Sequence, residues 1–486
     1  MERSTSPGGY DSTVRGYYIE NFGCRAAQAD GSAIERQLAG AGMRRVTAPS
    51  EAEIVVLNTC TVTSAADQDA RAAIRRAQRQ QPEAKILVTG CYAQRAPEEI
   101  AALDGVTWIV GNSHKRHIGN IVSGSLAPES DGFVPLKSLN NALPGTQFAP
   151  GIYVSDIFAH TELHSAPVFE AIERTRPNLK VQDGCDNRCS FCVIPYVRGH
   201  SRSLVIDEIL REIGELEAAG YREIVISGIN LGRWGRDFAA HKRNFGAQPR
   251  DFKAQESDSA APERFVELLR VILKRTSIQK LRLSSIEPMD WSDDLIALMA
   301  TSPRIAKHAH IPLQSGSDRI LRRMHRRYRP WHYVEKVEKI RRRMPEAAIG
   351  ADVMAGFPGE SDELFEESRS FIEQLPFTYL HVFTYSPRPG TPAAAMPDQV
   401  PIEVARERNR ELRNLAAKKN LAFRSSFVGR TIEAITLAKC GPEVSEALSD
   451  NYLKVEIKGR HEANQWMKVR VGAVTEHGIS GHARIG

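Results

Sequence analysis

The chain reads as an α/β protein in three parts. An N-terminal parallel α/β sheet domain is followed by a central βα barrel, partial or complete, and by a small antiparallel β-barrel at the C-terminus. Three observations predict this. Apolar runs of strand length alternate with amphipathic helical stretches through residues 15–131 and again through 173–400, the pattern of parallel sheets covered by helices. Distinctive residues recur just past the ends of those strands, where such sheets bind ligands. After residue 425 the period shortens to alternating runs broken by glycines, as in a small barrel of about five strands.

The 486 residues suffice for several cored domains. A hydrophobic share of 42% and a charged share of 26% are ordinary for a soluble globular protein. No apolar run approaches the ~20 residues needed to cross a bilayer. Residues 1–14 are polar and Gly/Ser-rich, which reads as a frayed tail rather than a targeting core. The net charge of +6 permits nucleic-acid binding without requiring it, so the placement of charge matters more.

In the first part, RGYYIENFGC runs as a strand into Cys24, AEIVVLNTC ends at Cys60 and AKILVTGC ends at Cys91, with helices expected over 28–41 and 64–80. A buried free thiol is the ordinary reading of any one of these cysteines. Three at equivalent topological positions converge on one sheet edge, which points to a [4Fe–4S] cluster with one iron left open. The polar stretch 132–172 reads as a linker.

The second part opens with the strand NLKVQDG and then Cys185-Asp-Asn-Arg-Cys189-Ser-Phe191-Cys192, a C-x3-C-x2-C run. Three thiolates this close can cap three corners of a [4Fe–4S] cube. Disulfides fit poorly, because three cysteines cannot pair internally and the chain total of seven is odd. Structural zinc wants four ligands, and no nearby fourth Cys or His is obvious. Reduced cysteines used as metal ligands suggest the cytoplasm. Cys440 reads as a structural or incidental thiol.

The helix 204–220 and strand 222–228 then begin a repeating βα pattern. Further strands are expected at 279–285, 309–316, 347–359 and 377–386, and helices at 263–275, 292–300, 330–343 and 361–374. Such a barrel carries its chemistry at the carboxyl ends of its strands. There stand Gly228 with Asn230, Ser284-Ser285-Ile286-Glu287-Pro288, Gln314-Ser315-Gly316-Ser317 and Gly356-Phe357-Pro358-Gly359-Glu360. Each alone is compatible with ordinary turn chemistry. Residues 233–262 lack periodicity and read as a loop or insertion.

Arg322, Arg323, His325, Arg326, Arg327 and Arg329 form a positive run, and Arg341, Arg342 and Arg343 continue it. A charge run is commonly a solvated face; two flanking one βα unit also suit phosphates. A helix over 401–424 carries another basic face and leads into the third part, 425–486. There Lys454, Lys458, Arg460, Lys468 and Arg470 supply charge, with Tyr452 and Trp466 as aromatic platforms of the kind RNA-binding barrels use. A purely structural cap is the alternative.

Taken together, NFGCRAAQADG, NTCTVTSAADQDARAAIRRA, VTGCYAQ, QDGCDNRCSFCVIPYVRG, LSSIEP, IPLQSGSDRILRRM and VMAGFPGE resemble the methylthiotransferase family of radical S-adenosylmethionine (SAM) enzymes, over most of residues 15–486. The C-terminal piece resembles that family's TRAM domain, an RNA-binding module. The stretch NTCTVTSAAD through IRRA, with SRSL after the cluster run, is most similar to the branch acting on threonylcarbamoyladenosine at position 37 of tRNA. The branches acting on isopentenyladenosine and on a ribosomal-protein aspartate resemble it less. Loop 233–262 and stretch 132–172 depart from the family pattern.

The resemblance implies two [4Fe–4S] clusters, on Cys185, Cys189 and Cys192 and on Cys24, Cys60 and Cys91, together with SAM. Gly228, Asn230, Glu287, Gln314 and Gly356 would contact SAM. Arg322, Arg323, Arg326, Arg327, Lys454, Lys458, Lys468 and Arg470 would contact tRNA bearing the modified A37. The barrel cluster would cleave SAM to a deoxyadenosyl radical that takes the hydrogen at adenine C2, and the other cluster would deliver a methylated sulfur. A low-potential electron donor and a monomeric state are further expectations. A non-catalytic Fe–S RNA-binding protein is the rival of a different class.

Overall fold

The computed structural model describes residues 15–126, 150–161, 163, 175–238, 264–441 and 443–483. The tail 1–14, most of loop 233–262, much of the stretch 132–172 and the Cys440 side chain lie outside the described residues. The chain divides into two compact units, Met1–His160 and Thr161–Gly486.

The first unit holds six parallel strands: β1 (Gly16–Asn21), β2 (Arg44–Arg45), β3 (Ile54–Thr59), β4 (Lys85–Gly90), β5 (Val106–Val110) and β6 (Gly151–Tyr153), in the order β2-β1-β3-β4-β5-β6. Alternate side chains face opposite sides of the sheet. Val55, Leu57, Ile86 and Val88 therefore pack on one face, while Ile54, Val56 and Leu87 pack on the other. The expected helices span Arg25–Gly40 and Ser64–Gln80; the second is capped by Thr63 Oγ1, which accepts from Ala66 N at 3.2 Å. One expectation needs correcting. β6 lies inside the stretch read as a linker, so the sheet extends to Tyr153.

The second unit begins with β7 (Asn178–Asp183), β8 (Arg202–Ser203), β9 (Glu223–Gly228), β10 (Lys280–Leu283), β11 (His308–His310), β12 (Ala348–Ala355) and β13 (Tyr379–Thr384). The order β10-β9-β7-β8 forms one sheet and β11-β12-β13 another; a parallel bridge between Leu281 and Ile305 leads from the first toward the second. Only β8 runs antiparallel. Among the described residues no ladder joins β13 to β7, so the barrel is partial. Its outer face is apolar (Leu179, Val181, Ile224, Ile226, Leu281, Ile349) and packs on helices including Ile206–Ala218, Arg264–Arg275 and Pro330–Arg343. The alternate positions are polar: Lys180, Gln182, Glu223, Arg282, His308 and His310 are all buried. The strand expected over 309–316 is shorter, because Pro312 has no N–H to give the ladder and Gln314 turns left-handed at φ 65°.

Strands β14 (Thr431–Cys440), β15 (Val444–Ser449), β16 (Lys454–Lys458), β17 (Trp466–Val474) and β18 (Ile479–Ala483) close a barrel in the order β14-β15-β16-β18-β17. It is antiparallel except for the parallel β16–β18 pair. This barrel is part of the same compact unit and seats on the amino ends of the βα strands. Arg282 pairs with Glu223 at 2.7 Å and donates to the Ser449 and Asp450 carbonyls, both at 3.1 Å. Lys280 meets Asp450 at 3.0 Å, and Tyr452 stacks on His308 with ring centroids 4.4 Å apart. Lys280 also lies over the Trp466 ring, 4.9 Å from its centroid. Both aromatics expected as RNA platforms are thus engaged with the βα barrel.

Candidate active site: two cysteine triads

In the first unit β1, β3 and β4 are neighbours, and each leads into a cysteine. Cys24 caps the helix Arg25–Gly40, Cys60 follows β3 directly, and Cys91 opens the short helix Cys91–Arg95. Thr59 and Gly90 are register partners, which sets Cys60 and Cys91 side by side. Gly23 (φ 98°) brings the third turn in: a Cβ there would lie 2.7 Å from the Cys60 Cβ and 2.9 Å from its Sγ. Cys60 and Cys91 are buried and Cys24 is exposed. Asn112, which the sequence reading missed, donates to Cys91 Sγ at 3.6 Å from beyond the end of β5.

In the second unit Gly184 (φ 73°) turns the chain out of β7; a Cβ there would meet the His200 carbonyl oxygen at 1.9 Å. Asp183 anchors the turn by accepting from Gly184 N and Arg198, each at 2.9 Å, and from Lys180 at 2.8 Å. Ser190 ties the loop's middle to the Arg323 carbonyl at 2.8 Å, and Phe191 packs edge-on against Phe357. The three sulfurs therefore sit on a loop fixed at several points. Asn187 N donates to Cys185 Sγ at 3.4 Å, Asn230 Nδ2 lies 3.8 Å from it, and Arg326 donates to Cys189 Sγ at 3.2 Å. Burial pushes the Cys185 thiol up to about 11 and the Cys192 thiol up to about 12. A metal must displace those protons to bind.

The donor sets fit [4Fe–4S] clusters better than single ions. Three thiolates on one zinc would stand about 3.8 Å apart, given Zn–S near 2.3 Å. Neither triad brings its three sulfurs within 4.8 Å of one another. A cube takes its three thiolates on three different irons, so it does not require them to converge on one centre.

The mouth residues divide. Asn230 N donates to Gln182 Oε1 at 2.7 Å, and its own Oδ1 is buried without a hydrogen bond, as are Ser284 Oγ and Ser317 Oγ. Gly228 is required by that same Gln182, whose Oε1 would lie 2.9 Å from a Cβ. Glu287 accepts from Arg326 beside Cys189. Gln314 lends its backbone to β12, accepting from Met354 N at 2.8 Å. Gly356 is accounted for by packing: its N–H is held by Glu360 at 2.9 Å, and a Cβ would strike Ala405 at 2.3 Å.

Arg326 needs correction as an RNA contact. It is 6% exposed, bound between Glu287, Tyr328 and Cys189, and belongs to the cluster site. Its place in a positive run hid this, because charge alone does not say which side of an element faces inward. Arg322 is exposed and paired with Asp318 at 2.8 Å, Arg327 is exposed, and Arg323 is half-buried under Gly359. Arg341 staples the Pro345, Ala347 and Pro376 carbonyls. Lys454, Lys458, Lys468 and Arg470 are exposed on β16 and β17, the two neighbours of β18.

Known proteins are similar to this chain over most of its length. Residues 179–372 match the Radical SAM superfamily, and residues 16–111 match an uncharacterized family, UPF0004. The threonylcarbamoyladenosine tRNA methylthiotransferase MtaB of Bacillus subtilis is 34% identical over 91% of this chain and 90% of its own length. The chain belongs to the radical SAM methylthiotransferase family. It is therefore an enzyme, and that membership implies SAM and a [4Fe–4S] cluster. The MtaB of Thermotoga maritima is 31% identical, covering 96% of each chain. A tRNA-2-methylthio-N(6)-dimethylallyladenosine synthase of Syntrophobacter fumaroxidans is also 31% identical, over 96% of this chain and 94% of its own. The radical SAM methyltransferase TsrM of Kitasatospora setae shares the fold, with a TM-score of 0.52, 14% identity, and 79% of this chain and 75% of that one covered. No helix among the described residues is long and apolar enough to cross a membrane.

Proposed function

We propose that this enzyme converts N6-threonylcarbamoyladenosine at position 37 of tRNA to its 2-methylthio derivative, with a [4Fe–4S] cluster on each cysteine triad. The observation that carries the reading is the pair of three-cysteine sets, each gathered where strands end, in a chain 31–34% identical to several proteins named for that reaction. When bound, the barrel cluster and SAM supply a deoxyadenosyl radical, and the cluster on Cys24, Cys60 and Cys91 supplies sulfur. The protein positions these groups and excludes competing reactions. Arg326 holds Cys189 and Glu287 together, Asn230 and Asn187 orient Cys185, and the unpaired polar atoms of Asn230, Ser284 and Ser317 wait at the mouth for a polar ligand. Exposed Lys454, Lys458, Lys468 and Arg470 would hold tRNA phosphates.

Mass spectrometry of tRNA nucleosides from a strain lacking the gene, with and without complementation, tests this directly. Loss of 2-methylthio-threonylcarbamoyladenosine, restored by the gene, supports it. Loss of the isopentenyl nucleoside instead would overturn the substrate and keep the chemistry.

A further inference from the structure

One group of ligand atoms takes no part in either cysteine site. His310 on β11, Asp352 on β12 and His381 on β13 stand on three adjacent parallel strands, and each offers a ligand atom within 4.8 Å of the other two. Among the described residues no other trio of Cys, His, Asp or Glu does so. His310 Nε2 lies 3.4 Å and His381 Nδ1 3.2 Å from the same oxygen, Asp352 Oδ1. Donors about 2.0–2.1 Å from a tetrahedral ion stand about 3.3 Å apart.

Both imidazoles face Asp352 Oδ1, but His381 makes the better hydrogen bond, at 3.2 Å, and His310 faces it only as an ion pair at 3.4 Å. Nε2 of His310 is buried, in a residue only 7% exposed, and beyond that long contact to Asp352 it makes no well-formed hydrogen bond. A buried nitrogen so poorly satisfied is costly. The other ring nitrogen is held by Ser285 Oγ at 2.6 Å, the kind of outer contact that fixes a metal-binding imidazole in one tautomer and orientation. Tyr379 stacks on the His310 ring at 5.8 Å and 15°, and its hydroxyl is bonded to His308 Nε2 at 2.7 Å. Gly350 permits that stack, since a Cβ there would lie 1.9 Å from Tyr379 Cζ. The ring is therefore locked with Nε2 aimed at its two neighbours.

We propose that His310, Asp352 and His381 bind one zinc ion, with an open face for an oxygen ligand. Two imidazoles and one carboxylate suit zinc, whereas magnesium or calcium would call for oxygens throughout. Three protein ligands leave a tetrahedral ion one position to fill. The His381 side chain is 52% exposed, so the open face lies on its side.

The test uses holoenzyme reconstituted with iron and sulfide, so that the cysteine sites are filled, then dialysed against chelator-buffered Zn2+. Metal analysis should find one zinc per chain, and zinc-edge X-ray absorption should show imidazole and oxygen neighbours without sulfur. His381→Ala and Asp352→Asn should each weaken zinc binding by more than the roughly 10- to 100-fold that loss of an outer-shell partner costs, with iron and sulfide content unchanged. Absence of zinc uptake, uptake equal in the variants, or sulfur in the zinc shell would each overturn the proposal.

Discussion

Cys24, Cys60 and Cys91 arrive at one sheet edge from three strand ends, whereas Cys185, Cys189 and Cys192 share a single loop eight residues long. The first triad exists only when β1, β3 and β4 are in register, so its assembly is linked to the folding of the whole sheet. One of its sulfurs, that of Cys91, is met by the side-chain amide of Asn112. The second triad is close-set along the chain and needs only its loop pinned. It is surrounded by charge: Arg326 on Cys189, Glu287 behind it, and the Lys180–Asp183–Arg198 cluster beneath the turn. One site is therefore specified by topology and the other by local sequence with electrostatic support. In both, a left-handed glycine stands immediately before a cysteine (Gly23, Gly90, Gly184), because the chain must turn sharply out of a strand.

The strongest way to break this division of labour is to remove one thiol from each side. Cys189→Ala should abolish SAM cleavage, while Cys60→Ala should spare deoxyadenosine formation and stop thiolation. Equal loss of deoxyadenosine in both variants, measured by mass spectrometry, would end the assignment of separate roles.

Gly184→Ala should deplete iron from the barrel site alone, and Gly23→Ala from the other alone, each through about 1–3 kcal/mol of local backbone strain plus the clash. Iron and sulfide content, with electron paramagnetic resonance of the reduced protein, would separate the two.

The smallest expected effect probes the charge around Cys189. Hydrogen bonds to cluster sulfurs favour the reduced state. Arg326→Gln should move the barrel cluster's midpoint to lower potential, so that the electron donor keeps less of it reduced, and slow SAM cleavage about tenfold. A redox titration giving an unchanged midpoint would mean that Arg326 serves packing alone.

Most of this architecture was legible because the barrel strands bury one apolar face against helices, a pattern that survives in the sequence as alternation. The helices at Asp293–Thr301, Pro330–Arg343 and Asp362–Gln374 fall within a residue of expectation for the same reason. What was not legible depended on partners remote in sequence. β6 is three residues in a polar stretch and is a strand only because β5 offers an open edge. Arg326 looks like its exposed neighbours until Glu287 and Cys189 are seen beside it. Tyr452 and Trp466 sit amid basic residues in the sequence, yet His308 and Lys280 claim them. The trio His310, Asp352 and His381 is spread over three strands and has no local motif.

The seating of the C-terminal barrel bears on how its role can be studied. Arg282, with Glu223, is fully buried there and spends its remaining donors on the Ser449 and Asp450 carbonyls. Deleting residues 425–486 would therefore unroof Arg282, Lys280 and His308 to solvent and strip the catalytic barrel of its floor. A truncated enzyme that lost activity would report a damaged scaffold as readily as lost grip on RNA. Point changes on the outer rim, at Lys454, Lys458, Lys468 and Arg470, leave that floor intact and isolate the question of RNA.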